Sequence, residues 1–520
     1  DSPFEDAGGD GGRPTVDEVQ GFCGSWKAAS HFTPPGPAVC FDESQSGVQR
    51  PLPFPTEAEC FKLFLTEELV GNIVKETNRY ALELLEKREP GVRGKLAKWV
   101  TTTISEMYTF LVTVLLMGIV KKNSLREYSS TDPMFATPFF ATLFSKDCFL
   151  VLLQCLHFIN NATAILSDPL YKIRNVLTSL TSAFGRVFVP YKDLCIDVSL
   201  MLWKGRLVFP QYIPSKRHRF GVKFFVMLDM KTGFVQDIIV YTGSTTDIKH
   251  YEGLGVPGSV VMTMLAPHLG KRHTLYVDNW YSSPILFQHL LSNSTGACGT
   301  VRSNRKGMPA FGCRKMQRGK VEFQENDVYV LSTVHTATML ATGKVDHLTG
   351  ERKIKPDCVL DYNLKMGAVD KADMINSFAE CTRKTTKWYK KIFFHLIDTA
   401  VLKGSIVHRQ LTGEMITEQG IFYRENLMRE LLEEHYTPRP PSTGGRPAAD
   451  NPLCLTARHF PCKVPQTAAQ GSHTRRHCKV CLSGTRRSKQ KKMTKYMCLA
   501  CDTPLCISPC FEEYHMLKHY

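Results

Sequence analysis

Residues 195–202 read CIDVSLML, residues 223–230 KFFVMLDM and residues 234–243 FVQDIIVYTG. Each is a short run rich in Val, Ile and Phe, and turn residues such as Lys231-Thr232-Gly233 separate them, so three adjacent β-strands are predicted. After a helical stretch near Val260–Leu269, HTLYVDNW (273–280) reads as a fourth, buried strand, SPILFQHLLSN (283–293) as a helix and GACGTVR (296–302) as a fifth strand. A mixed sheet with helices places this region, 191–302, in the α/β class.

Upstream, 56–190 is helical: FKLFLTEELVGNIVKETNRYALELLEK (61–87) repeats apolar positions at three and four, as do Glu106–Val120 and Phe149–Phe158. Residues 1–55 are rich in Gly, Pro, Ser and acids, open without an initiator methionine as a trimmed chain would, and are expected to form a disordered acidic arm. Downstream, 303–360 is β-like with little helical period and reads as an insertion in the α/β unit. DYNLKMGAVDKADMINSFAE, within 361–380, returns as a helix, and a second, basic helical part spans 381–435. The Pro/Gly-rich TPRPPSTGGRPAADNP marks a linker, 436–476, before a Cys-rich module, 477–520.

The 520 residues exceed what one hydrophobic core serves, so several domains are expected. Hydrophobic residues make up 43% and charged ones 22%, a folding composition that excludes a wholly disordered or fibrous chain. The longest apolar run, Phe110–Val120, falls short of the roughly 20 residues that span a bilayer, so it reads as a buried helix and no membrane association is expected. Lys and Arg number 65 against 49 acids, a net charge of +16 that points to a polyanionic partner. Six of the 18 cysteines crowd into 478–510, which fits metal ligation in a reducing compartment better than disulfides.

That cluster runs Cys478-x2-Cys481, Cys498-x2-Cys501 and Cys506-x3-Cys510, followed by His515 and His519. A tight turn with two thiolates at x2 spacing serves one tetrahedral ion, the pattern of structural zinc sites. Two zinc ions sharing eight ligands account for the cluster, with the eighth ligand left open by spacing among His519, His459, His473 and His477. Residues 471–520 carry ten Lys/Arg against three acids, Arg486, Arg487, Lys491 and Lys492 among them, so the module presents a nucleic-acid or nuclear-import surface.

In the α/β unit, Asp197 lies within the apolar frame of the first strand, Asp278 ends the fourth, and Asp370 opens the helix after KMGAV. An acid among strand apolars is costly to bury unless paired or bound to a cation, and three that converge make a metal site. Strand, hairpin, strand and helix with acids at these places is the layout of an RNase H-like fold. Carboxylates there hold two divalent ions about 3.5–4 Å apart for phosphodiester chemistry, and Mg²⁺ suits such oxygen ligands.

The segments CIDVSLMLWKGRL (195–207), YIPSKRHRFGVKFF (212–225), LYVDNWYSSPILFQHL (275–290), CGTVRSNRKGMP (298–309), DYNLKMGAVDKADM (361–374), TKWYKKIFFHL (386–396) and YMCLACDTPLCISPCFEEYH (496–515) resemble, in order, the motifs of the piggyBac transposase family and its transposable element-derived members. The resemblance runs from about Phe61 to Tyr520. It implies an RNase H-like core interrupted by an insertion, flanking helical parts that dimerise and bind DNA, and a terminal cross-braced two-zinc domain that binds the element's terminal repeats. It further implies a nuclear homodimer that cuts and pastes DNA at TTAA through nick, hairpin, hairpin opening and strand transfer, using two Mg²⁺ or Mn²⁺ ions. The family's aspartates fall on Asp197, Asp278 and Asp370, with an accompanying acid at Asp373, one helical turn on from Asp370.

Two departures stand out. The family usually carries Glu after the first aspartate, where this chain has Val198, a position whose side chain points to the opposite face of the strand. The helix that reads L-x-N-S-Y in relatives is Leu402-Lys403-Gly404-Ser405 here, a Lys and a Gly in a helix expected near the active site. Three basic clusters accompany the motifs: Lys216, Arg217, His218 and Arg219; Arg302, Arg305 and Lys306; and Arg383, Lys384, Lys387, Trp388, Lys390 and Lys391. Lys and Arg neutralise phosphates, and Trp388 offers a stacking surface for an unpaired base.

Overall fold

The computed structural model describes residues 40–50, 52–87, 94–163, 165–213, 220–308, 329–336, 338–345, 350, 352–381, 385, 387–413, 421–437, 459–466, 471–483 and 490–516. The chain divides into two compact units, 1–438 and 439–520. The first opens with β1 (Gly47–Val48), α1 (Glu57–Lys62), α2 (Glu67–Glu86), α3 (Ile104–Ile119), α4 (Pro138–Leu143), α5 (Lys146–Cys155), α6 (Arg174–Val187) and β2 (Phe188–Val189). Then come β3 (Asp193–Leu202), β4 (Gln211–Tyr212), β5 (Phe220–Asp229), β6 (Val235–Val240), α7 (Gly255–Leu265), β7 (Thr274–Val277), α8 (Pro284–Ser292) and β8 (Gly296–Val301). It closes with β9 (Tyr329–Ser332), β10 (Met339–Val345), β11 (Arg352–Pro356), α9 (Asp357–Lys365), α10 (Ala368–Phe378), α11 (Trp388–Thr412) and α12 (Ile421–His435).

Local chemistry sets the helix starts. Thr56 and Glu59 form a reciprocal capping box on α1, and Thr66, Thr103 and Ser145 each accept the N–H three residues on, satisfying donors the helix cannot. The apolar run of α3 is buried nearly all round, and no helix among the described residues is long and apolar enough to cross a membrane.

The sheet runs β4-β5-β3-β7-β8-β9, with β6 also paired to β5. β3 is antiparallel to β5, with Asp197 opposite Val226, and parallel to β7, with Ile196 opposite Val277. β8 continues parallel and β9 closes the far edge antiparallel, so residues 329–332, expected within the insertion, extend this sheet. Alternation along β3 divides the core: Cys195 and Met201 face the large cluster built from α1–α3, α5, α6, α11 and α12, while Leu194, Ile196 and Val198 face a second cluster under α7 and α8. The helical segments expected as flanking parts thus share one continuous core with the sheet.

Residues 40–50, expected in the disordered arm, are folded: β1 pairs with β2, and Ser46 Oγ donates to the Pro190 carbonyl at 3.1 Å. A two-residue strand carries too little apolar pattern to be read from sequence. Residues 1–39 lie outside the described residues.

Polar groups fasten α10 at both ends, half-buried at its entrance and buried at its exit. Lys365, at the end of α9, bridges Asp193 of β3 (2.8 Å) and Asp361 (3.1 Å), and it donates to Tyr276 Oη of β7 (2.8 Å). Beyond α10, Arg424 of α12 donates to the Ala379 carbonyl (2.9 Å) and Asp398 of α11 (3.0 Å), whose other oxygen accepts the Cys381 N–H.

In α11, Gly404 is needed for close approach, since an added Cβ would lie 2.3 Å from Tyr423 Oη and 3.3 Å from Phe61 Cα. Its neighbour Lys403 is fully buried, without a hydrogen-bond partner, over the rings of Phe184, Phe234 and Phe64. Burial drives its pKa well below the usual 10.5 against a weaker upward pull from Asp237. The unfolded chain therefore binds a proton that the native state does not, so the destabilisation grows as pH falls from 10.5 toward the lowered folded value. Lys403→Met is expected to raise stability at pH 7 by about 1–3 kcal/mol, the scale of an unsatisfied buried polar group. Urea unfolding at pH 7 and near pH 10 checks this: the gain should shrink at the higher pH, and equal gains at both would reject the account.

Candidate metal and nucleic-acid sites

Because Ile196 and Val277 are partners on parallel strands, Asp197 and Asp278, each one residue further, stand level on neighbouring backbones about 4.8 Å apart. Asp278 Oδ1 accepts the Trp280 N–H at 2.9 Å, while Ser283 supplies the N-cap of α8, so Asp278 does not serve as that helix's cap. Asp197 Oδ1 accepts the Val198 N–H at 2.7 Å. Two residues on, and therefore on the same face, Ser199 Oγ donates to Asp373 of α10 at 2.8 Å. Val369 and Ala372 bury the inner side of α10, leaving Asp373 half-buried against β3 and Asp370 exposed in the first turn. Val198 points away, into the second core cluster.

Asp197 and Asp278 both act electrostatically on the same three side chains. Tyr281 is buried with no hydrogen-bond partner for its hydroxyl; burial, then the two acids, push its pKa well above the usual range. Burial and the same acids push Tyr362 up to about 12, and burial pulls Lys223 down to about 8 while the acids oppose it. Carboxylate oxygens carried by β3, by the end of β7 and by α10 are the donor type a hard divalent cation takes. Among the described residues, however, only two groups of three or more potential ligands draw their atoms within 4.8 Å, and these are not the acids.

Those groups lie in the second unit, built from β12 (Pro461–Lys463), β13 (Arg476–His477), α13 (Lys479–Ser483), β14 (Met493–Thr494), β15 (Tyr496–Cys498), β16 (Thr503–Pro504) and α14 (Cys510–Met516). One gathers Cys478, Cys481, Cys506 and Cys510; the other gathers His459, Cys498, Cys501 and His515. Cys481 and Cys510 sulfurs are 3.5 Å apart, and His459 Nδ1 lies 3.3 and 3.4 Å from the Cys498 and Cys501 sulfurs, spacings that suit ligands sharing a tetrahedral ion. His515 turns Nε2 toward Cys501 and donates from Nδ1 to the Phe511 carbonyl at 2.6 Å, the outer hydrogen bond that orients a ligating imidazole. Of the histidines that spacing left open, His459 is the one gathered with Cys498, Cys501 and His515; His519 lies outside the described residues, and residues 459–463, expected in the linker, belong to this unit through the β12–β15 pairing.

The basic residues divide. Arg302, Lys306, Lys387, Lys491 and Lys492 are exposed, and Arg305 is half-buried, its guanidinium donating to the Trp280 carbonyl (2.5 Å) and so tying its loop to the one bearing Asp278. Trp388 is half-buried, edge-on to Phe209 at 5.9 Å. Lys390 is a correction: it is buried and donates to the Leu153 and Gln154 carbonyls at 2.7 and 2.9 Å, capping α5 instead of facing DNA. Burial also lowers the pKa of half-buried Lys391. Lys216, Arg217, His218, Arg219, Arg383, Lys384, Arg486 and Arg487 lie outside the described residues. Sequence reasoning missed Ser199, Lys223, Tyr281 and the Tyr276–Asp361–Lys365 network. For Lys223 the available signal was a lysine inside an otherwise apolar strand, GVKFF.

A family model described as Transposase IS4 matches residues 56–402, and one described as DDE_Tnp_1-like zinc finger matches 463–516. The human PiggyBac transposable element-derived protein 3 is 24% identical over 485 residues, covering 88% of this chain and 76% of the relative. The human PiggyBac transposable element-derived protein 5 is 22% identical over 300 residues, 55% of this chain and 54% of the relative. Among solved structures, the piggyBac transposase in a synaptic complex with hairpin DNA, determined by cryo-EM, is 24% identical with a TM-score of 0.64, covering 90% of this chain and all of that one.

Ligand sets of this kind couple metal binding to folding, at roughly 10–16 kcal/mol per structural zinc in small fingers. The purified full chain is expected to release two zinc ions on acid treatment. Chelation should make 459–516 protease-sensitive while 52–435 stays protected, and unchanged protection of both parts would reject a structural role for the metal.

Proposed function

Because the chain belongs to the piggyBac transposase family, we propose that it is a metal-dependent DNA transposase that excises and inserts DNA at TTAA through nicking, hairpin formation, hairpin opening and strand transfer. The observation that carries this reading is the level pair Asp197 and Asp278, with Asp373 of α10 joined to the same face of β3 through Ser199. The sheet supports an RNase H-like core: three antiparallel strands followed by two parallel ones, with one acid in the middle of β3, one just past the end of β7 and the others on a late helix.

Asp197, Asp278, Asp370 and Asp373 are the residues that would hold two Mg²⁺ or Mn²⁺ ions. Such ions, when bound, sharpen a water or 3′-hydroxyl as nucleophile and steady the leaving oxygen. The chain's own part is to fix the carboxylates: the Trp280 N–H orients Asp278 and Ser199 orients Asp373. Exposed Arg302, Lys306 and Lys387 would neutralise phosphates of double-stranded DNA, and Lys491 and Lys492 would do so on the two-zinc domain at the element's terminal repeats. A homodimer acting in the nucleus completes the reading, since two element ends are cut together.

A second reading, a DNA-binding protein that keeps the fold without cutting, is favoured by Val198 and by the buried Lys403. Incubation of the full chain with Mg²⁺ and labelled TTAA-flanked terminal repeats separates the two. The transposase reading expects nicks and hairpins that fall by at least about 10³-fold in Asp278→Ala while DNA binding persists. Binding without cleavage by the wild-type chain would sink it in favour of the second reading.

A further inference from the structure

We propose that Tyr362 is a substrate-contacting residue whose hydroxyl, steadied by Thr300, donates a hydrogen bond to a phosphate oxygen of the DNA strand handled by Asp197 and Asp278. The inference rests on the transposase reading above for its ligand class, a nucleic-acid phosphodiester.

Strand register puts these groups on one face of the sheet. Across the parallel strands β3, β7 and β8, Asp193, Thr274 and Gly296 are level, as are Cys195, Tyr276 and Cys298. Side chains two residues apart share a face, so Asp197, Asp278 just past the end of β7, and Thr300 form the next row on that face. Neighbouring strands lie about 4.8 Å apart, which sets Thr300 one strand from Asp278 and two from Asp197. Ile196 and Val277, between these rows, point the other way into the second core cluster.

The helices that cover this face touch it row by row. Cys298 Sγ lies 3.8 Å from the Cys358 carbonyl at the start of α9, Tyr276 Oη donates to Asp361 at 2.5 Å, and Cys195 Sγ lies 3.9 Å from Met366 Sδ. Ser199, beyond Asp197, donates to Asp373 of α10. From α9, Tyr362 reaches the row of the acids, its Oη 3.2 Å from Thr300 Oγ1. Its neighbour Asp361 is held by Tyr276 and by His335 Nε2 at 3.0 Å, contacts that oppose a rotation of α9 that would swing Tyr362 away.

Two hydroxyls carry two O–H donors, and the bond between them uses one. Among the described residues neither hydroxyl makes another hydrogen bond, and both side chains are half-buried, so the second donor is open to a ligand instead of sealed in the core. Carboxylates and a phosphodiester are all acceptors. A neutral donor held in the same row therefore supplies what a phosphate arriving beside the acids needs, and its placement before substrate arrives avoids reorganisation during reaction.

A chemical double-mutant cycle tests the proposal. The full chain and Tyr362→Phe are titrated in Ca²⁺ with a short duplex centred on TTAA, each phosphate at and beside TTAA being replaced in turn by either stereoisomer of an uncharged methylphosphonate. At one phosphate, one isomer is expected to weaken wild-type binding about tenfold more than it weakens Tyr362→Phe, the scale of one hydrogen bond to a charged group. Equal losses in the two proteins at every position would overturn the proposal, because a tyrosine that only packs lowers binding to all these duplexes alike. Thr300→Val should shrink the coupling at that isomer, and undiminished coupling would overturn the part given to Thr300. If Tyr362→Phe does not fold, Tyr362→Leu takes its place and is read by the same criterion. Cleavage of the unmodified duplex by wild type in Mg²⁺ is followed in parallel. Coupling without cleavage would leave the phosphate contact standing and remove the transposase reading, whereas cleavage with equal losses would do the reverse.

Discussion

The pairing of β3 with β7 in parallel register is the constraint on which the acidic site depends. A slip of one residue in either strand would turn a carboxylate into the opposite core cluster, where Ile196 and Val277 now sit. That register is defended from both sides. The face toward α7 and α8 is packed with Leu194, Ile196, Leu275 and Val277, so a shifted strand would have to bury an aspartate there. Hydrophobic burial on one face thus fixes the geometry of charged groups on the other.

The remaining acids arrive on α10, a helix of only 11 residues with two buried positions, and such a segment has little packing of its own to hold it. Its placement is borrowed. Lys365 ties its entrance to β3, which carries Asp197, and to β7, which leads into Asp278, and Arg424 with Asp398 ties its exit to α11 and α12. The Arg424–Asp398 pair is buried, and removing one partner of such a pair strands the other at about 3–5 kcal/mol, whereas the half-buried Lys365 pairs act mainly by fixing position. The helices far from the site in sequence take part in its geometry through this clamp.

The strands and the Cys/His spacing could be read from sequence because each rests on local pattern: β-branched runs and x2 turns. What escaped reading depends on distant partners. β9 joins the sheet only because β8 presents a free edge, and residues 40–50 fold only because Phe188–Val189 meets them. Lys390 resembles a DNA-facing lysine among Lys387 and Lys391, and only the open carbonyl end of α5 makes it a cap. Lys223 and Lys403 are both lysines among apolar neighbours, one half-buried among Trp280, Phe225 and Tyr241 and one sealed under three phenyl rings. Sequence cannot separate those two cases, because the difference lies in what stands across from each.

The two Cys/His groups alternate along the chain: His459 serves one, Cys478 and Cys481 the other, Cys498 and Cys501 the first again, Cys506 and Cys510 the second, and His515 the first. Neither site is contained within a segment of its own. Once an ion joins His459 to His515, every ligand of the second site already lies inside a closed loop, and the entropy of gathering them has been spent. Occupancy of the two sites is therefore linked: partly loaded chains should be scarce, and the module should pass between empty and full over a narrow range of free metal. A small domain wired in this way would respond to metal as a threshold, where each site alone would fill gradually.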